Sequence, residues 1–170
     1  MLPGLGNSGP EHWQGYFEKS AANFKRIEQS DWDTPACKDW VENTDNAISG
    51  LDPKTVVLIG HSLGCIAIAN WAKTSKIRIK GALLVAPSDV EAPRYTFDTV
   101  GFESVPLDRI GFKTIVVAST NDEWISIERA AFFAENWGSE FINIGEAGHI
   151  NAASGFGEWK EGLELLKSFK

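Results

Sequence analysis

The chain has 170 residues, enough for one domain at about 150 residues each, and its 43% hydrophobic and 23% charged content fits a globular protein with a sizeable core rather than a disordered one. Sixteen Lys and Arg against 23 Asp and Glu leave a formal charge of −7, and no stretch clusters more than a few basic residues, which argues against a nucleic-acid partner. Cys37 and Cys65 are the only cysteines, too few for a disulfide framework or a four-ligand zinc site, and no window approaches the roughly 18 apolar residues of a membrane span.

Met1 and Leu2 precede Pro3-Gly4-Leu5-Gly6-Asn7-Ser8-Gly9, a loop of the kind that follows a strand, so the first strand is expected to be very short or missing. Ser8-Gly9-Pro10-Glu11 has the form of a capped helix start with proline in the opening turn. Apolar residues recurring three or four apart predict helices over residues 13–24, 35–48, 63–75, 125–137 and 158–169. Trp40, Trp71, Trp137 and Trp159 then fall on buried helix faces. Strands are predicted over 55–59, 81–86 and 114–118, with weaker ones over 25–29 and 140–144; the first of these is nearly all apolar, as a strand covered on both faces should be. Residues 87–106 show no periodicity but carry Tyr95, Phe97 and Phe102, and serve either as a site-lining loop or as a surface excursion. The alternation predicts an α/β fold over residues 1–170: one domain, a mostly parallel five-stranded sheet and helices on both faces. A cytoplasmic protein without metal or cofactor is expected.

The strongest chemical signal is Gly60-His61-Ser62-Leu63-Gly64, Gly-x-Ser-x-Gly between the best strand and a helix. A turn this tight strains the serine backbone, and the flanking glycines remove side chains that would clash with strand and helix. Ser62 is therefore the candidate nucleophile. A serine hydroxyl needs a base, and histidine suits because it titrates near neutral pH. Of the three histidines, His61 is expected to point the other way out of the turn, and His12 lies ahead of the nucleophile. His149, in a glycine-bearing loop between the last strand and the last helix, fits the chain order serine, acid, histidine.

Asp122 is the leading candidate for the carboxylate that orients the base, because it follows the strand 114–118 at the same sheet edge as Ser62. Glu123, Asp89 and Asp98 are the alternatives. For an oxyanion hole, one amide is expected from Leu63 and one from Leu5, since Pro3 has no N–H and Gly4 permits close backbone approach.

Gly60-His61-Ser62-Leu63-Gly64, the Pro3-Gly4-Leu5-Gly6 loop leading to His12-Trp13, Asn121-Asp122-Glu123-Trp124 and Gly148-His149-Ile150-Asn151 together resemble the small α/β-hydrolase family of retinoblastoma-binding protein nine and the bacterial YdeN proteins, in the family's order and over nearly the whole chain. The resemblance implies an α/β-hydrolase fold without a large cap domain and a triad of Ser62, Asp122 and His149. It also sets Trp13 and Trp124 beside the catalytic loops as pocket walls, with core packing the alternative for both.

The expected function is hydrolysis of small or medium carboxylic esters through an acyl-serine, with an amidase or aminopeptidase-like hydrolase as the alternative within the same chemistry. The third reading is a non-catalytic binding module, its protein partner unspecified. Its one sequence hook is weak: Leu63-Gly64-Cys65-Ile66-Ala67 has alanine where the Leu-x-Cys-x-Glu ligand of retinoblastoma-type pocket proteins has glutamate. Gly4-Leu5-Gly6-Asn7-Ser8-Gly9 matches a dinucleotide fingerprint by letter but lacks the preceding strand.

Overall fold

A computed structural model describes residues 1–169. Four strands, β1 (Val57–His61), β2 (Gly81–Val85), β3 (Lys113–Ala118) and β4 (Glu140–Asn143), form one sheet in chain order, and every pairing among them is parallel. Helices α1 (Trp13–Ser20), α2 (Cys37–Ile48), α3 (Leu63–Thr74), α4 (Ile127–Trp137) and α5 (Lys160–Leu166) surround it.

Side chains alternate across each strand, and the sheet consequently separates two cores. Leu58, Ala82, Leu84, Val116 and Ala118 face one side, where α2, α3 and α4 supply Trp40, Ile66, Trp71, Phe133 and Trp137. Ile59, Leu83, Val85, Ile115 and Val117 face the other, against Trp13 and Phe17 of α1 and Leu163 of α5. Helices on both faces explain why β2 is buried at all five positions and reads as an unbroken apolar run.

The sheet has four strands, not five. Residues 25–29 run beside Met1 without forming a strand: Ile27 N donates to Met1 O (2.9 Å) and the Met1 amino group to Lys25 O (2.6 Å), two bonds to one residue rather than a ladder. Leu2 in turn forms a single parallel bridge to Gly60 on the outer edge of β1. The first helix ends at Ser20, where the Ser20 hydroxyl donates to Phe17 O (2.7 Å) and the chain turns extended at Ala21. Its cap is not Ser8 but His12, whose Nδ1 accepts from Gln14 N (3.2 Å). Ser8 instead donates to the buried Gln14 Oε1 (2.7 Å). α4 is bounded as its sequence suggests: Ser126 Oγ accepts from Arg129 N (3.2 Å), and Gly138 closes the helix at φ 72°.

Residues 87–106 contain no helix or strand, but the segment is tied down at several points. Asp89 and Glu91 pair with Arg129 of α4, Glu91 also accepts from Val105 N (3.1 Å), and Val100 bridges Ala36 ahead of α2. Phe102 leaves the surface altogether and packs edge-on against Trp40, ring centroids 5.8 Å apart. Among the described residues no helix is long and apolar enough to cross a membrane.

Trp137 is fully buried, stacks on Phe133 and donates from Nε1 to Pro106 O (2.6 Å). Trp137→Ala should cost about 3–5 kcal/mol in urea unfolding, whereas Phe132→Ala, at a side chain 39% exposed on the same helix, should cost under about 1 kcal/mol.

Candidate active site

Ser62 occupies the turn between β1 and α3 at φ 55°, ψ −123°, a region that a non-glycine residue enters only under constraint. The constraint is the packing of its neighbours. A Cβ on Gly60 would lie 3.0 Å from Cys65 N and 2.8 Å from Ile68 Cδ1, and one on Gly64 would collide with the Leu2 carbonyl oxygen and lie 2.7 Å from that of Pro3. Ser62 N donates to Val85 O (3.0 Å), tying the turn to the end of β2.

Around this turn the loops that leave β3 and β4 converge. His149 Nε2 lies 2.9 Å from Ser62 Oγ, and His149 Nδ1 lies 2.9 and 3.0 Å from the two Asp122 carboxylate oxygens. A carboxylate only accepts, so Nδ1 carries the proton; in the neutral ring Nε2 is then bare and the Ser62 hydroxyl donates to it. The Asp122 side chain is shielded from solvent and also accepts from Trp124 N (2.8 Å). The other acid candidates lie apart from this chain of bonds: Asp89 is engaged by Arg129, and Glu123 and Asp98 are exposed.

The His149 loop is stapled from several directions. Gly148 N donates to Asn121 Oδ1 (2.7 Å), Ala147 N to Ser119 Oγ (2.9 Å) and Thr120 N to Gly145 O (2.9 Å). His61 lies against the His149 loop. Its Nε2 donates to His149 O (2.9 Å), and its ring lies 4.9 Å from that of His149 and 4.6 Å from that of His12. Burial first, then the neighbouring histidines, hold the His61 pKa well below its usual range, and burial lowers His12 to about 4. His61 and Asn121 hold the His149 loop through these bonds, a contact that the sequence reading did not assign to either residue.

The site opens into a cleft of about 590 Å³. Residues 4–9 form one wall, Tyr95, Phe97 and Trp124 a second, and residues 151–153 a third. Phe97 touches both of its aromatic neighbours, at 5.1 Å from Tyr95 and 5.2 Å from Trp124. Trp13 is not a wall: fully buried, it packs on Phe17, His61 and Trp159 and donates from Nε1 to Ile150 O (2.9 Å), supporting the loop of the base from beneath. Gly4 lies against the nucleophile, since a Cβ there would come within 3.1 Å of Ser62 Oγ. In the same loop Gly6 N and Asn7 N are used by Trp32 O and Gly4 O, whereas Leu5 N and Leu63 N donate to no acceptor among the described residues. The segment 63–67 is wholly buried in α3 and presents nothing for a pocket protein to grip. Burial pushes the Cys37 thiol up to about 11 and raises that of Cys65 as well, so both stay protonated and inert at neutral pH.

A family model described as serine hydrolase matches residues 1–168. The chain belongs to the serine hydrolase family. Among solved structures, a protein described as a YdeN-like hydrolase from Pectobacterium atrosepticum is 36% identical, with a TM-score of 0.86 over 99% of this chain and 88% of that one. The YdeN gene product of B. subtilis is 18% identical, with a TM-score of 0.85 over 99% of this chain and 95% of its own. An N-acyl homoserine lactone degrading enzyme is 15% identical at a TM-score of 0.75, covering 99% and 91%. No curated protein sequence matches. Within this serine hydrolase family member the architecture is the α/β-hydrolase fold without a large cap domain.

Two predictions follow from the packing and the histidines. Gly64→Ala, which drives a methyl group into the Leu2 carbonyl, should lower the unfolding free energy by roughly 2–4 kcal/mol in urea titration. His12 is held neutral in the folded state, with a pKa of about 4 against 6.5 for the free side chain. The unfolded chain therefore binds the extra proton first, and stability present above about pH 6.5 is lost as pH falls toward 4, by up to about 3 kcal/mol. His12→Asn keeps a cap acceptor for Gln14 N while removing the titration, and its melting temperature should fall less steeply over that interval than the parent's.

Proposed function

We propose that this chain hydrolyses small or medium carboxylic esters through an acyl-enzyme on Ser62. In this reading His149 takes the Ser62 proton as Oγ attacks the acyl carbon, and returns it to the departing alkoxide. Asp122 holds the imidazole in the tautomer that can accept and stabilises the cation formed during transfer. The N–H groups of Leu5 and Leu63 receive the oxyanion. Water, deprotonated by the same histidine, then releases the acid. The observation that carries the reading is the unbroken line of hydrogen bonds from Asp122 through His149 to Ser62, each about 2.9–3.0 Å.

Substrate size follows from the cleft. At about 590 Å³, with an aromatic wall of Tyr95, Phe97 and Trp124 beside the nucleophile, it suits a compact apolar acyl or leaving group. The 87–106 segment supplies two of those aromatics and shares the lining of the cleft with residues 4–9 and 151–153. Residues 1–170 are read as a single hydrolase domain, and two unbridged thiols accord with a cytoplasmic setting.

A fluorophosphonate probe read by mass spectrometry should label the protein at Ser62, and labelling that persists in Ser62→Ala would overturn the assignment. Replacing Ser62 or His149 by Ala should lower kcat for p-nitrophenyl esters by roughly 10³–10⁶-fold while circular dichroism stays unchanged. A panel of esters and amides matched in acyl group separates esterase from amidase chemistry, with esters expected to turn over faster.

A further inference from the structure

Ser88 is 3% exposed, and its Oγ lies 2.8 Å from Ser62 Oγ. Nothing in the proposed mechanism uses it. The direction of this bond can be settled by elimination. A hydroxyl has one proton, and Ser62 commits its own to the bare Nε2 of His149, so across the Ser62–Ser88 contact Ser88 is the donor. Burying a hydroxyl costs free energy unless it is bonded, and the Ser88 side chain has no other partner among the described residues.

The backbone holds Ser88 in place. Beyond β2 the chain turns sharply at Ala86, φ 46°, whose N donates to Val117 O (2.8 Å). Ser62 N donates to Val85 O (3.0 Å), and Ser88 N is directed at Ser62 O at 3.4 Å. The turns after β1 and β2 are thus pinned to each other, and the two hydroxyls meet because the adjacent parallel strands end together at His61 and Val85.

We propose that Ser88 is a catalytic residue: its hydroxyl donates to Ser62 Oγ and stabilises the negative charge that develops on this oxygen when it is the leaving group. The inference rests on the acyl-serine reading. During acylation Oγ bonds to the acyl carbon while its proton passes to His149 and on to the departing alkoxide. During deacylation water bonds to the acyl carbon and gives a proton to His149, the Oγ–carbon bond breaks with its electron pair going to Oγ, and His149 returns the proton there. Ser88 keeps its own proton throughout. A donor fixed on Oγ helps most when that bond breaks, so deacylation is the step that depends on it.

The experiment is stopped-flow hydrolysis of a short-chain p-nitrophenyl ester with intact-protein mass spectrometry, on the parent, Ser88→Ala and Ser88→Thr. Ser88→Ala should lower steady-state kcat about tenfold, lower the first-turnover burst rate less than threefold, and let acyl-enzyme accumulate toward one equivalent. Ser88→Thr keeps the hydroxyl and should restore the parent's partition between the two steps. A kcat for Ser88→Ala within twofold of the parent overturns the proposal. So does an equal fall in burst rate and kcat without accumulation, and so does a Ser88→Thr variant that behaves like Ser88→Ala. If the parent itself neither labels with fluorophosphonate at Ser62 nor forms an acyl-enzyme, the acyl-serine reading fails and this inference fails with it. Parent labelling with an unaffected Ser88→Ala sinks the inference alone.

Discussion

Parallel pairing brings every strand of this sheet to an end at one edge, and the chemistry is assembled from what comes next. Ser62 follows β1, Ser88 lies three residues beyond β2, Asp122 follows β3 and His149 follows β4. No strand has to bend to bring these groups together. The hydrogen-bond register of β1 against β2, of β2 against β3 and of β3 against β4 sets their spacing before any loop is considered. Loops then make the final adjustment, and those after β3 and β4 are mutually bonded, as Asn121 to Gly148 and Ser119 to Ala147 illustrate.

Three imidazoles crowd beneath the cleft, and their environments separate their roles. His12 caps α1 and His61 braces the carbonyl of His149, and burial keeps both uncharged. His149 alone faces a carboxylate. In the proposed mechanism His149 becomes a cation, and neutral neighbours suit that step because a second positive charge at 4.9 Å would oppose it. Trp13 completes the support from below by holding the Ile150 carbonyl. Trp13, His12 and His61 thus form a layer packed beneath the His149 loop.

The strained turn at Ser62 shows the division between local and distant causes. Its glycines were legible because Gly-x-Ser-x-Gly between an apolar strand and a helix has a steric reason. The atoms that enforce it, the carbonyls of Leu2 and Pro3 above Gly64, come from some 60 residues away and leave no local signal. Residues 25–29 failed as a strand for the converse reason. Their composition allows one, yet a strand exists only through a ladder with its partner, and these residues share two backbone bonds with Met1 and no ladder. Phe102 and Trp13 stayed open for the same reason, since an aromatic side chain in a loop or at a helix start packs inward or outward according to neighbours that periodicity cannot name.

What the sequence determined by itself was the order of the four strands that form and of the helices between them, the two-faced burial of the central strands and the tight Gly-x-Ser-x-Gly turn between β1 and α3. These depend on residue type, spacing and backbone sterics, all of which act over a few positions. The tertiary structure alone decided which aromatics line the cleft, that His61 bonds the His149 carbonyl, and that Ser88 meets Ser62. Each of these is a contact across tens of residues, and such a contact depends on how whole strands align, a quantity carried by the packed sheet and not by any single segment of the chain.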